Sequence, residues 1–509
     1  MESLLNTDWL ALAYNELPLL LLIVGGTLVL LADLWWPQHI LPRWARRKSA
    51  TVDVHVPDRT PLLLFGMLAA LVAFIACWRL WVQHEMPNQM GMLVIDRFSL
   101  VGGMMIIGST IAGLALGWGY LFQHKLPIGE YTVLMLFATA GAWCMISSAN
   151  LLLAFVGIEI LSISAYVLAG MDTKNRLSVE SGLKYFLLGA VASAFLLFGI
   201  AFFYGATGTL SLVGFTNDGI MQAPTSQFYL ILGTAFFLVG IGFKVALAPF
   251  HTWTPDVYEG APIPVTAWFA SAVKAAAFLL FARVMLVVLP LMPALGTQLI
   301  AGLAIATMFI GNMAALWQDN IKRLLAYSSI AHAGYAALAL VTMATIPEAG
   351  ITSLLWYLMS YSVMTIGAFA VVQLLGRDGE ELTSVGALAG LGERHPWLAA
   401  CLSIFLLSLA GLPPTVGFMA KYYLLANLVA AGHWGLTIAA IISSLISVGY
   451  YSYPIVVMYF RPVANQTPHN SMNVGVPIRL VIFFAALAVL VAGIFPDRLM
   501  SFIQNSVLL

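Results

Sequence analysis

Apolar runs long enough to cross a bilayer recur along the whole chain, at residues 17–36, 61–82, 98–120, 128–147, 149–170, 182–205, 228–257, 263–289, 298–317, 322–344, 350–375, 397–431, 434–458 and 477–496. A hydrocarbon core about 30 Å thick needs ~20 helical residues, and ~17 is the lower limit. Membrane barrel strands alternate apolar and polar residues, whereas these runs are continuously apolar, so helices are the spans they predict. The expected fold is all-α, a polytopic membrane protein of about fourteen transmembrane helices. The charge content supports this: 9% of residues are charged, against about a quarter in a soluble protein.

Two runs, the seventh and the twelfth, are too long for one crossing and contain proline: Pro249 and Pro255 in one, Pro413 and Pro414 in the other. They predict broken helices. The two breaks are five crossings apart, and five is odd, so equivalent helices cross in opposite directions. The spacing predicts two inverted five-helix repeats, helices 4–8 and 9–13. The chain then divides into residues 1–127 (helices 1–3), 128–290 (first repeat), 298–458 (second repeat) and 459–509 (helix 14).

Orientation follows from the cations. Alternate loops hold Arg43, Arg46, Arg47, Lys48, Arg59, Lys125, Lys174, Arg176, Lys322, Arg323, Arg377, Arg394, Arg461 and Arg479. The opposite loops hold Arg79, Arg97, Arg283 and Arg498. The richer side is expected to be cytoplasmic, with both termini on the other side. Glu2, Asp8 and Glu16 precede the first run; a secretory signal is basic there, so no cleavage is expected.

Four cations fall inside apolar runs: Lys184, Lys244, Lys274 and Lys421. A cation in hydrocarbon costs about 2.5–3.5 kcal/mol on insertion scales, so it marks a pathway or a partner. Among carboxylates Glu159 is the one clearly mid-helix, and it must be protonated or paired. Burial disfavours a charged amine and a nearby carboxylate favours it, so a Glu–Lys pair of variable separation is a proton switch. A static pair that fixes helix packing is the competing reading. Four lysines, one glutamate and two broken helices in one chain weigh towards the switch. His251 follows Pro249 at the first break, and His332 lies beside Tyr327, Ser328 and Ser329; both suit proton transfer. Lys184 sits near the start of the sixth helix and ranks below Lys244 and Lys274. Asp256 and Glu259 end the seventh run, where attracting cations and capping are equal readings. Asp319, Lys322 and Arg323 read as loop charges. The fourteen tryptophans read as an aromatic belt at run ends, and the methionines as ordinary packing.

Cys77, Cys144 and Cys401 lie far apart, with no CxxC, HExxH or GxGxxG. No iron–sulfur, zinc or nucleotide site is expected in this chain. No basic stripe with interleaved aromatics points to nucleic acid.

Three segments, ALAPFHTWTPDVYEGAP, KRLLAYSSIAHAGY and LSLAGLPPTVGFMAKYYLL, resemble the proton-pumping membrane subunits of respiratory complex I and their relatives in multisubunit cation/proton antiporters. The resemblance covers about residues 95–460. LLLAFVGIEILSISAYVLAG and the following SGLKYFLLG stretch are most similar to the N-type subunit of NADH-quinone oxidoreductase. Lys421 fits that type rather than the M-type, and the lateral helix of the L-type is not expected. The resemblance implies that Glu159 tunes Lys244 of an input half-channel, that Lys274 links the halves, and that Lys421 lies near the output. Pro249 and Pro413 match the helix breaks, and His251 and His332 match polar positions on the axis. It implies a bacterial inner membrane, with a thylakoid-type membrane as the alternative since the chloroplast and cyanobacterial counterpart shares TPDVYEG, and a coupled enzyme with quinone, FMN and iron–sulfur clusters in partner subunits. The neighbours implied are M-type, K-type and J-type subunits and lipids. A redox-free cation/proton antiporter subunit and a structural membrane module are the alternatives. The basic stretch between the first two helices, residues 42–59, is a departure expected to touch a neighbour or anionic headgroups.

Overall fold

The structure, a computed structural model, describes residues 14–35, 59–83, 88–216, 224–376, 381–462 and 475–506. Most of the basic stretch 42–59 lies outside these residues. The helices are α1 Leu17–Leu34, α2 Thr60–Gln83, α3 Arg97–Gln123, α4 Ile128–Ile146, α5 Leu151–Ala169, α6 Arg176–Thr207, α7 Pro224–Val245 and α8 Trp253–Gly260. They continue with α9 Ile263–Leu291, α10 Pro293–Ala315, α11 Ile321–Met343, α12 Pro347–Gln373, α13 Pro396–Ala410, α14 Val416–Ala430, α15 Trp434–Phe460, α16 Val476–Ile494 and α17 Pro496–Gln504. Among the described residues, 13 helices are long and apolar enough to cross a membrane. The paired α13 and α14, 15 residues each, make the interrupted twelfth crossing. The protein is an integral membrane protein. A short β-ribbon, Asn88–Met90 with Leu93–Ile95, precedes α3.

Both breaks occur where the sequence puts proline. After α7 the chain turns through Ala246 at φ +63°, and Leu247 N donates to Gly242 O at 2.8 Å. After α13 it turns through Gly411 at φ +85°, and Leu412 N donates to Leu407 O at 3.0 Å. The left-handed residue closes the last turn by recovering carbonyls that have no helical partner. Counting from these turns places Pro414, not Pro413, opposite Pro249.

Other devices recur in both five-helix sets. A Cβ on Gly141 of α4 would lie 2.8 Å from Leu161 N of α5, and one on Gly311 of α10 would lie 2.6 Å from Ala331 N of α11. Both crossings need glycine for backbone approach. Asn150 caps α5 and Asn320 caps α11 through their side chains. Each also bridges to a serine after the next helix, Ser211 and Ser384, where a short 3₁₀ turn follows.

The enclosed helices are α3, α9, α11 and α12, whereas α1, α6, α10 and α16 bury one face each. Tryptophan departs from the belt reading: Trp143, Trp268 and Trp356 are fully buried in the core.

Candidate functional site: a row of buried amines

Glu159, Ser162 and Tyr166 follow the i, i+3, i+7 spacing and so share one face of α5. Lys244 lies in the last turn of α7, buried. Its Nζ donates to Ser162 Oγ at 2.8 Å and to Tyr185 OH at 3.3 Å. It also lies 5.7 and 5.3 Å from the ring centres of Tyr166 and Tyr185, a cation–π setting. Glu159 is half-buried and accepts from Ser193 Oγ at 2.5 Å. Glu159 and Lys244 therefore hold separate partners. A cavity of ≈ 10 Å³, the size of about one water, is lined by Lys244 and by Ser162 and Ser193, the serines bonded to Lys244 and Glu159.

Lys274 directly follows a π-helical turn, Phe269–Val273. Such turns shift side chains out of the regular helical register. Its Nζ donates to Ser329 O at 2.7 Å and to Ser329 Oγ, and faces the Tyr361 ring. Ser328, next in α11, bonds Tyr451 OH. Tyr451 OH in turn lies 3.1 Å from His332 Nε2, and His332 Nδ1 lies 2.6 Å from Tyr357 OH. Tyr335 stands between His332 and Lys421, with ring contacts to both. Lys421 Nζ reaches back to Ala410 O at 2.8 Å, beside the break, and to Ser444 Oγ at 2.9 Å. The break frees acceptors in the helix, and the amine uses one.

The structure thus brings together Lys274, His332 and Lys421 in one polar chain, and Glu159 with Lys244 in a second group. Among the described residues no hydrogen bond joins the two groups; Tyr185 packs instead on Trp253 and Phe269. His251 sits half-buried in the first break and its Nδ1 has no hydrogen-bond partner.

Lys184 belongs elsewhere. It pairs with Glu180 and Asp256, each at 2.7 Å, and is 41% exposed. Asp256 and Glu259 also pair with Arg323 at 2.9 and 2.7 Å, so neither acts as a cap. Lys322 and Arg323 are not loop charges: both lie in the first turn of α11. Lys322 is buried, 2.7 Å from Glu381 Oε2 and from Ala261 O. Glu381 also accepts from Tyr120 OH. The sequence carried no local signal for this network, because its partners are about 60 residues apart or more.

Arg283 is likewise a buried partner. Its guanidinium grips Asp96 through two bonds, at 2.9 and 3.0 Å, and donates to Ile146 O. Burial alone would raise the Asp96 carboxyl, but Arg283 and Ser99 hold it below the usual carboxylate range. No group of three or more His, Cys, Asp or Glu fit for a metal occurs among the described residues.

Interrupted helices with amines buried at their breaks, inside a bundle of many crossings, define an antiporter-like membrane subunit. The family described as NADH:quinone oxidoreductase/Mrp antiporter, TM, matches residues 148–447, and the chain belongs to it. Its relatives include NADH-quinone oxidoreductase subunit N of Trichlorobacter lovleyi, 41% identical over 90% of this chain and 93% of that one. Another is subunit N 1 of Sorangium cellulosum, 37% identical over 96% of this chain and 97% of that one. A chain of respiratory complex I from Thermus thermophilus superposes with TM-score 0.78 at 33% identity, covering 96% of this chain and all of that one. A chain of the Mrp complex from Dietzia sp. shares the fold, with TM-score 0.81 at 19% identity over 97% and 96% of the two chains.

Proposed function

We propose that this chain is a proton-translocating membrane subunit of a complex I-type enzyme, coupled to quinone reduction in partner subunits. The observation that carries the reading is the side-chain chain from Lys274 through Ser329, Ser328, Tyr451 and His332 to Tyr335 and Lys421. Every member is buried, and amines, imidazole and hydroxyls are groups that hold or pass a proton.

In the cycle, Lys244 and Lys274 load from the cytoplasmic side. When Glu159 moves away from Lys244, the amine loses a favourable charge and its proton moves onward as Lys274 releases its own towards Lys421. The gap at Tyr185 makes this the gated transfer. The proton then leaves past Lys421. A cleft of ≈ 510 Å³ lined by Lys421, Tyr335 and Ser444 and running to Val429 supports an exit there. The five-helix sets, residues 128–290 and 298–458, act as the two half-channels, with both termini periplasmic in a bacterial inner membrane. Quinone, FMN and iron–sulfur chemistry belong to partner subunits, and M-type, K-type and J-type subunits are the expected neighbours.

The test compares proton pumping and quinone reduction in membranes carrying the native protein or Lys244→Ala, with assembly checked on a native gel. Assembled enzyme with both activities reduced is the expected result. Native pumping by an assembled Lys244→Ala enzyme refutes the amine axis. Sodium-dependent transport in cells without a quinone reductase refutes the redox coupling and leaves an antiporter subunit.

A further inference from the structure

The outer side of α16 carries a groove that the proton path does not use. At its start lies a cavity of ≈ 580 Å³ lined by Arg394, Trp397, Arg479, Leu480 and Phe483. Leu480 is shared with a second cavity of ≈ 550 Å³ between α16, α2, α3 and α12, lined by Met67, Met105, Ile366, Phe484 and Ala488. Ala488 is shared in turn with a third, ≈ 550 Å³, which reaches Val491 and Arg498. The three form one trough along α16.

We propose that this trough is a binding site for an anionic diacyl phospholipid. The phosphate sits between Arg394 and Arg479, and the acyl chains lie in the apolar part. The first argument is charge: two guanidiniums, Arg394 and Arg479, line one end of a mainly apolar groove whose far end has the single Arg498, and guanidinium forks match phosphate oxygens. Arg394 is already oriented, with Nη2 donating to Ala389 O at 2.6 Å. The second is depth. Trp397 is 46% exposed beside Arg394, and exposed tryptophan marks the headgroup level. From Leu480 to Val491 the helix rises ~16 Å, about one leaflet of a ~30 Å core. The third is wall chemistry: Met67, Met105, Ile366 and Phe484 offer an apolar, adaptable surface. Basic pockets between membrane helices are recognised headgroup sites.

The experiment uses the intact assembly in mild detergent with photoactivatable phosphatidylglycerol, and the matching phosphatidylcholine probe as control. The expected result is labelling of α12 and α16 peptides, stronger for phosphatidylglycerol. In Arg394→Gln/Arg479→Gln that preference falls about fivefold per arginine, roughly 1 kcal/mol each. Ala488→Trp, which fills the trough from an exposed position, abolishes labelling by both probes. A native gel confirms assembly of each variant. Equal labelling by both probes in the native enzyme overturns the headgroup assignment. Labelling unaffected by Ala488→Trp overturns the trough. A photoreactive residue at position 488 that captures a neighbouring subunit instead of lipid overturns the proposal as a whole.

Discussion

The two five-helix sets share their backbone devices and differ in where they put charge. Ten residues after the left-handed turn, the first set has Asp256 and the second has Lys421. Asp256 points into a half-exposed network with Lys184 and Arg323; Lys421 is buried against the break it follows. Of the first set's buried amines, Lys244 precedes the break and leans on hydroxyls of α5 and α6, while Lys274 lies in α9 beyond it. The second set links Ser328, Tyr451, His332 and Tyr357 by hydrogen bonds, and the first ends at the rings around Tyr185. Caps, left-handed turns and glycine crossings fix the backbone repeat, so charges are free to diverge on it. The divergence leaves the first set's Lys244 enclosed by aromatic rings and the second set with a longer run of linked polar groups.

The strongest break of this comparison concerns the outlying lysines. Lys322→Ala leaves Glu381 without its buried cation and is expected to cost about 3–5 kcal/mol. Lys184→Ala, at a partly exposed pair, is expected to cost at most about 1 kcal/mol. Thermal melting of the purified assembly measures both; equal losses remove the distinction between the two networks.

The anchors of the two sets to α3 differ in the same way. Arg283 of the first set grips Asp96, and Gln373 of the second donates to Leu116 O at 2.8 Å. Asp96→Asn is expected to cost about 3 kcal/mol, and Gln373→Leu about 1 kcal/mol. Since the Asp96 carboxyl is held low, its contribution is complete above the free value of about 3.9 and fades only as pH falls through the lower folded value. The melting difference between native and Asp96→Asn should therefore be flat from about pH 5 to 8. A difference that grows with pH across that window contradicts the ion pair.

Within the axis, Tyr451→Phe removes the hydroxyl shared by Ser328 and His332. Pumping is expected to fall about a hundredfold with assembly intact, the lower end of the range for a lost general acid–base group. Tyr185→Phe leaves Lys244 its Ser162 bond and is expected to lower pumping less than twofold. Reversal of that order would make the Tyr185 hydroxyl, and not the Tyr451 hydroxyl, the more important relay group.

A further comparison lies at the turns. Gly411→Ala places a Cβ at φ +85° and 2.7 Å from Lys421 Cδ, an expected loss of about 1–2 kcal/mol with displacement of the amine. Ala246→Gly relieves the same conformation but gives up a buried methyl, so the net change is expected within about 1 kcal/mol. Melting curves of the pair test whether the two turns are equivalent.

Much of this was legible from sequence. Predicted span ends mostly fall within a few residues of the helices because hydrophobic length is a local property. Lys244, Lys274 and Lys421 stood out because an amine in an apolar run is costly wherever the run folds. Lys322 escaped notice because a lysine two residues into a helix looks solvated until Glu381 and Ala261 are brought over it. Arg283 looked like an orienting loop charge for the same reason.

The sequence by itself determined the number of crossings, the two interruptions and the identity of the buried amines, since apolar length, proline and charge act along a few consecutive residues. Only the tertiary structure decided which groups those amines touch. Glu159 with Ser193, Lys274 with Ser329 and Lys421 with Ala410 depend on where helices cross and how each break turns, and those positions are set by packing between segments distant in the chain.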